Sequence, residues 1–274
     1  MQNKAPIGVF DSGLGGLTIL KEIVSEMPHY DFMYLGDSAR APYGPRSFET
    51  VYQYTLEAVQ WLFERGCPLV ILACNTSSAK ALRTIQQNDL TTIDPSKRVL
   101  GVIRPTTEVI GDYTETNHIG ILGTQGTVDS GSYVIEIGKS FPEVHVHQQA
   151  CPAWVPLVES GQYLTDSADP VIRECLEKLM AQSEKIDTVL LACTHYPLLM
   201  DKIKAYLSEE ITVVSQGDIV AKSLKSYLIR HPEMESRLTR QASISFYTTG
   251  ELGEFDQGAS VFWGEEVDAQ RAIL

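Results

Sequence analysis

Leu69-Val-Ile-Leu-Ala-Cys74-Asn75-Thr76 returns later in the chain as Thr188-Val-Leu-Leu-Ala-Cys193-Thr194-His195. Each copy is a short, largely apolar run, then Ala-Cys, then a polar pair. Runs of this length without alternation read as strands buried on both faces, the kind found inside parallel sheets. A weaker match precedes each copy: Ile7-Gly-Val-Phe-Asp11-Ser12-Gly13 parallels Ile119-Gly-Ile-Leu-Gly123-Thr124. The spacings agree too, with 63 positions from Asp11 to Cys74 and 69 from Thr124 to Cys193. Val/Ile/Leu/Ala runs are common enough for chance to supply the strands, but the repeated Ala-Cys-polar-polar tail argues against it. The chain reads as two related α/β lobes, each with a polar loop after its first strand and a cysteine loop after a later one.

Working outward, the same alternation of strand and helix fills most of the chain. Strands are expected over 5–10, 32–35, 69–73, 99–103, 118–122, 144–148, 188–192, 211–214 and 243–248. Helices are expected over 17–27, 48–65, 128–140, 170–183, 198–207 and 219–230, with another starting near Ser77. Leu17, Leu20, Ile23 and Val24 keep helical spacing until Pro28 stops them, and Gly66 ends the second helix. Repeated βα units predict a parallel sheet with helices on both faces. The fold class is therefore α/β, in two pseudo-symmetric lobes, each a mostly parallel sheet flanked by helices. Functional groups belong at the carboxyl ends of the strands, in the cleft between lobes.

Composition narrows the function. The 274 residues carry a net charge of −13, with hydrophobic residues at 43% and charged ones at 21%, which is ordinary globular composition. Strong acidity argues against a nucleic-acid partner, which would need clustered Lys and Arg. No apolar run is long enough for a membrane span. The opening MQNKAPIGVF enters a strand-like segment without the apolar core of a secretory signal, so the cytoplasm is the expected compartment. There the five cysteines stay thiols.

Cys74 and Cys193 each follow a buried strand and precede a predicted helix, whose free N–H groups favour a thiolate. Most free cysteines are only small buried hydrophobes, and Cys67, Cys151 and Cys175 are read that way. Two in repeated context point to function instead. Close metal-ligand spacings are lacking, and His145 and His147 alternate on one strand without a third ligand, so no metal site is expected. A cysteine hydrolase is a contender because His195 lies two positions from Cys193. Such neighbours seldom face each other after a strand, and a hydrolase needs one cysteine, not two. Two thiols across a cleft suit stereoinversion, in which one removes a proton from a carbon and the other returns one to the opposite face. A thiol pKa near 8.5 lets either form be held by modest tuning, and Asp11 and His195 are the local candidates.

The residues at this point closely resemble the glutamate racemases, cofactor-independent enzymes of the aspartate/glutamate racemase family. The resemblance rests on Gly8-Val-Phe-Asp11-Ser12-Gly13-Leu-Gly-Gly-Leu17, Tyr34-Leu-Gly-Asp37 and Arg40-Ala-Pro-Tyr43-Gly44. It continues through Ala73-Cys74-Asn75-Thr76, Gly123-Thr124-Gln125-Gly126-Thr127-Val128, Cys151-Pro-Ala-Trp-Val155-Pro-Leu-Val-Glu159 and Leu191-Ala-Cys193-Thr194-His195-Tyr196-Pro197. It implies an isomerase that uses no cofactor and supplies D-glutamate for peptidoglycan and so for cell shape. Residues 1–100 plus 211–274 would form the first lobe and 101–210 an inserted second one. Cys74 would act on the D-enantiomer and Cys193 on the L-enantiomer, assisted by Asp11, His195 and Glu159. Substrate-contacting positions would be Asp11, Ser12, Tyr43, Gly44, Asn75, Thr76, Thr124, Thr127, Thr194 and His195. These neutral donors at loop and helix starts suit a substrate with two carboxylates.

The resemblance further implies a homodimer, L- and D-glutamate as the only small partners, and no metal. Each assignment has a plainer reading beside it: Asp11 as a helix cap, Glu159 as a solvated helix end, Tyr43-Gly44 as a turn, the threonines as caps. Arg40 is as suited to a structural ion pair as to substrate. The chain departs from the family at Ser215-Gln216-Gly217-Asp218, where an aspartate followed by small residues is usual. An aspartate racemase, a binding protein that has lost catalysis and a pyridoxal phosphate racemase remain alternatives. The last has least support, because no lysine falls in a motif loop.

Overall fold

The structure, a computed structural model, describes residues 4–274. Its strands are β1 (Ile7–Asp11), β2 (Phe32–Gly36), β3 (Leu69–Leu72), β4 (Arg98–Gly101), β5 (His118–Gly123), β6 (His145–Ala150), β7 (Thr188–Ala192), β8 (Thr212–Val214), β9 (Ile244–Thr248) and β10 (Ala269–Arg271). They form a six-stranded sheet in the order β10-β9-β2-β1-β3-β4 and a four-stranded sheet in the order β6-β5-β7-β8. Every pairing is parallel.

Beneath the size difference the two sheets share one plan. Strands β1 to β4 and β5 to β8 are each arranged second, first, third, fourth. The register repeats as well: Gly8 lies opposite Val70 as Gly120 lies opposite Val189, and Phe10 opposite Leu72 as Leu122 opposite Leu191. Gly120 shows why that position stays bare. A Cβ there would sit 2.7 Å from Leu179 of the helix Asp169–Met180. In the first lobe the helix Phe48–Glu64 brings Leu62 to 3.2 Å from where a Gly8 Cβ would be. In both lobes the helix before the cysteine strand presses on the glycine of the neighbouring first strand.

Strand residues alternate between two apolar layers, as expected of strands covered on both faces. Ile7, Val9 and Ile71 join Leu17, Leu20 and Ile23 of the helix Leu17–Glu26 in one cluster. Phe10, Val70 and Leu72 join Val59 and Leu62 on the other side. In the second sheet Ile119, Ile121 and Leu190 form a further cluster with Tyr133 and Ile137. Among the described residues no helix is long and apolar enough to cross a membrane.

Several expected elements differ in extent. The fourth strand stops at Gly101, because the chain turns into the helix Ile103–Thr107. The helix expected over 128–140 is two, Gln125–Asp129 and Ser132–Ser140, parted by Gly131 at φ +63°. The strand expected over 211–214, which the sequence reading put with the first lobe, is β8 and pairs with β7 of the four-stranded sheet. Beyond β9 lie the helix Leu252–Trp263 and β10, neither expected.

Candidate active site

The loops at the carboxyl ends of β1, β3, β5 and β7 meet between the sheets. Cys74, directly after β3, caps the helix Asn75–Lys80, and its sulfur accepts the Ser77 N–H at 3.4 Å. Its thiol donates to the Ser12 hydroxyl at 3.6 Å. The helix N-terminus was expected to favour a thiolate here, and burial reverses that. Loss of solvent, reinforced by the nearby Asp11 carboxylate, pushes the Cys74 thiol up to about 11, and the Ser77 and Ser12 hydrogen bonds offset only part of it.

Cys193, after β7, sits in a different setting. No α-helix starts directly behind it; a 3-10 turn, Tyr196–Leu199, comes first and carries Pro197. That tight turn brings His195 Nδ1 to 3.9 Å from Cys193 Sγ, although the two positions were expected to face apart. On its far side His195 Nε2 lies 3.0 Å from Glu159 Oε1, at the end of the helix Trp154–Glu159. Phe262 of the C-terminal helix meets the imidazole edge-on at 5.4 Å. Burial alone would lower the His195 pKa, but the hydrogen bonds and negative charge of Cys193 and Glu159 outweigh it and lift it to about 10. An imidazolium is thus flanked by a sulfur and a carboxylate.

Asp11 is fully buried at the end of β1. Its Oδ2 accepts the Gly13 N–H at 2.9 Å, and Thr194 of the second lobe donates to Oδ1 at 3.5 Å. Burial raises its pKa, against the lowering effect of the His195 charge and of the Gly13 and Gly16 N–H groups. The Asp11–Gly16 loop lies so close to the second lobe that a Cβ on Gly15 would be 2.2 Å from Thr194 Oγ1 and 2.5 Å from His195 Nδ1. Glycine is required there.

A cavity of about 30 Å³ remains between the lobes, lined by Ser12, Tyr43, Gly44, Cys74, Asn75, Thr76, Thr124, Glu159, Cys193, Thr194 and His195, with Ala41, Pro42 and Val155. The two remaining residues of the sequence-derived set, Asp11 and Thr127, stand outside its lining. Thr127 supports it, with its hydroxyl 3.1 Å from that of Thr124, which is 2.9 Å from that of Thr76. Gly44 crosses the gap by accepting the Gly126 N–H at 3.0 Å.

The loop bearing Tyr43 and Gly44 hangs on Asp37, to which sequence reasoning gave no role. Asp37 accepts hydrogen bonds from Tyr43, from Arg40 Nε at 2.6 Å and from Thr249 Oγ1 at 2.7 Å. Arg40 is committed to Asp37 and Glu57, the structural ion pair rather than a cavity group. Phe262 was missed too, although Leu252, Phe255, Ala259 and Phe262 keep helical spacing behind the capping Glu251. Away from the site, His118 Nδ1 is 3.0 Å from His147 Nε2 with His145 stacked on His118. Among the described residues no group of metal-ligating side chains is arranged to hold an ion.

A family model described as Asp/Glu/Hydantoin racemase matches residues 8–224. The glutamate racemase of Bacillus cereus is 38% identical over 273 residues, spanning 100% of this chain and 98% of that one. Among solved structures, glutamate racemase isoform RacE1 of Bacillus anthracis superposes with a TM-score of 0.89 at 33% identity, covering 98% of each chain. The Francisella tularensis glutamate racemase in complex with D-glutamate does so with a TM-score of 0.86 at 29% identity, over 99% of this chain and 97% of that one. The chain belongs to the Asp/Glu/hydantoin racemase family, alongside its glutamate racemases.

Proposed function

We propose that this racemase interconverts L- and D-glutamate by two-base proton transfer at Cα, with Cys193 and Cys74 on opposite faces of the carbon. One observation carries the reading: two thiols from corresponding strands of the two lobes line a single cavity in contrasting proton-holding surroundings. Cys193 has its sulfur 3.9 Å from the His195 imidazolium, a positive charge placed beside the atom that would take the proton. Cys74 is held as a thiol, since at a pKa of about 11 only about one in a thousand or fewer would be ionised near neutrality. That is the starting arrangement for the L-to-D direction.

The α-proton of L-glutamate passes to the Cys193 sulfur. The Cys74 thiol then delivers its proton to the other face, leaving D-glutamate, a Cys193 thiol and a Cys74 thiolate. The reverse reaction begins from that state, and proton exchange with water restores the first. His195, backed by Glu159, faces the Cys193 sulfur, and Asp11 lies beside Cys74. The side chains of Ser12, Asn75, Thr76, Thr124 and Thr194 and the backbone N–H groups of Tyr43 and Gly44 would supply neutral donors for the two carboxylates, with Thr127 bracing Thr124. Neutral oriented dipoles can hold anions without full cations when water is excluded.

The sheet memberships support lobe boundaries near Gly101 and after Val214. Thiol chemistry fits a cytoplasmic setting, and the resemblance carries with it a homodimer and a product used for peptidoglycan. Incubation with L-glutamate and with L-aspartate, followed by optical rotation, tests substrate and reaction together. Racemisation of glutamate is expected, and Cys74→Ala and Cys193→Ala should each abolish it. Full turnover by either variant, or turnover of aspartate alone, would overturn the reading.

A further inference from the structure

Gln216 lies just before the helix Gly217–Arg230, where the chain returns from β8 toward the first lobe. Long polar side chains are seldom fully buried, and this one is 2% exposed. Its Oε1 accepts from Asn75 Nδ2 at 2.7 Å. Its Nε2 donates to Tyr133 Oη at 2.8 Å and to Thr106 Oγ1 at 2.9 Å, with the Val102 carbonyl at 3.3 Å. Tyr133 closes the ring by donating its O–H to Asn75 Oδ1 at 2.6 Å. Asn75, Gln216 and Tyr133 thus form a closed hydrogen-bonded triangle. It joins the first lobe, the second lobe and, through Thr106 and Val102, the other segment that crosses between them.

The polarity of the triangle is fixed. Thr106 donates its hydroxyl hydrogen to the Val102 carbonyl at 2.9 Å, so toward Gln216 its oxygen accepts. Nε2 must therefore be the end of the Gln216 amide that faces Thr106 and Tyr133, which leaves Oε1 to face Asn75. Asn75 in turn spends its oxygen on Tyr133 and one of its two N–H groups on Gln216. Among the described residues the other N–H has no partner, and Asn75 lines the cavity between the two cysteines. An amide turned the other way would offer a carbonyl oxygen to an anion and repel it.

We propose that Gln216 is a positioning residue for the reaction: it locks the Asn75 amide in the donor orientation that a substrate carboxylate requires and ties that orientation to the relative placement of the lobes. The proposal rests on the glutamate racemase reading. Gln216→Met keeps length and volume while removing both polar atoms. Tyr133→Phe keeps the ring and removes only the hydroxyl that donates to Asn75 Oδ1 and accepts from Gln216 Nε2, and so serves where the first variant fails to fold.

Initial rates with L-glutamate are measured for wild type, both variants, Asn75→Ala and the Gln216→Met/Asn75→Ala double variant. KM is expected to rise about tenfold or more in Gln216→Met or Tyr133→Phe, with kcat changed less. In the Asn75→Ala background Gln216→Met should add no more than about twofold, since the group it positions is gone. A merely structural role would reduce the fraction of active enzyme and so kcat, leaving KM alone. Unchanged KM in both single variants, or full additivity with Asn75→Ala, would overturn the proposal. Lack of glutamate turnover by the wild type would instead overturn the racemase reading beneath it.

Discussion

A cysteine near its ordinary pKa can take or give a proton, so the neighbours of each sulfur decide its part. At Cys193 the neighbour is His195, and at Cys74 it is burial with Asp11 close by. This sets the alkaline behaviour. His195 has its pKa raised from 6.5 to about 10, so the imidazolium survives through neutral pH and is lost as pH climbs through 10. The Cys74 thiol lasts to about 11. The rate of the L-to-D reaction is therefore expected to hold to about pH 9 and fall above 10. His195→Asn should lower kcat/KM on the order of 10²-fold and remove the limb near 10. An unchanged profile in that variant would remove His195 from the proton chemistry. At this scale the cysteines, Asp11 and His195 were legible, because each follows a recognisable strand. The raised Cys74 thiol was not, because a helix N-terminus can be seen in sequence while the depth of burial that opposes it cannot.

Between elements, the repeat is a statement about registers. Gly8 and Gly120 sit at matching positions because a helix leans on each, and the sequence carried that as a shared Ile-Gly pair. Gly120→Ala should destabilise the second lobe by about 1–3 kcal/mol through overpacking against Leu179, read as a lower urea midpoint. Gly15→Ala differs, since the added methyl meets Thr194 and His195 rather than core. It should cost at least about tenfold in kcat/KM, with a thermal midpoint near that of wild type; preserved kinetics would show that the loop can give way. The C-terminal helix was readable from its apolar spacing and was missed. β10 was not readable, because a three-residue edge strand in a Glu- and Asp-rich tail carries no apolar pattern.

Across the whole molecule, the interlobe cavity of about 30 Å³ has room for one or two water molecules and not for glutamate. Parting of the lobes on substrate entry is therefore the expected motion. The Gly126 N–H, bonded to Gly44 across the gap, is a local reporter of that opening. Hydrogen exchange at Gly126 should slow at least severalfold on saturation with D-glutamate, and an unchanged rate would argue against a closing motion. A protein of net charge −13 also repels glutamate, a net anion, at long range. Screening shortens that reach to about 8 Å at physiological salt. The proposed site would then draw its affinity from short-range donors such as Ser12, Asn75 and Thr124. Sequence indicated both lobes but not their closure or the Gln216 triangle, since those depend on contacts between distant segments, 58 to 141 positions apart within the triangle.

The central claim, proton removal at one sulfur and return from another, is tested most directly by racemisation of L-glutamate in deuterium oxide. Early in the reaction, mass spectrometry of the separated enantiomers should find deuterium at Cα of the D-glutamate formed, because the Cys74 thiol has exchanged with solvent. The L-glutamate remaining should be unlabelled. Deuterium appearing equally fast in both enantiomers would mean that one base serves both faces, and would contradict the account.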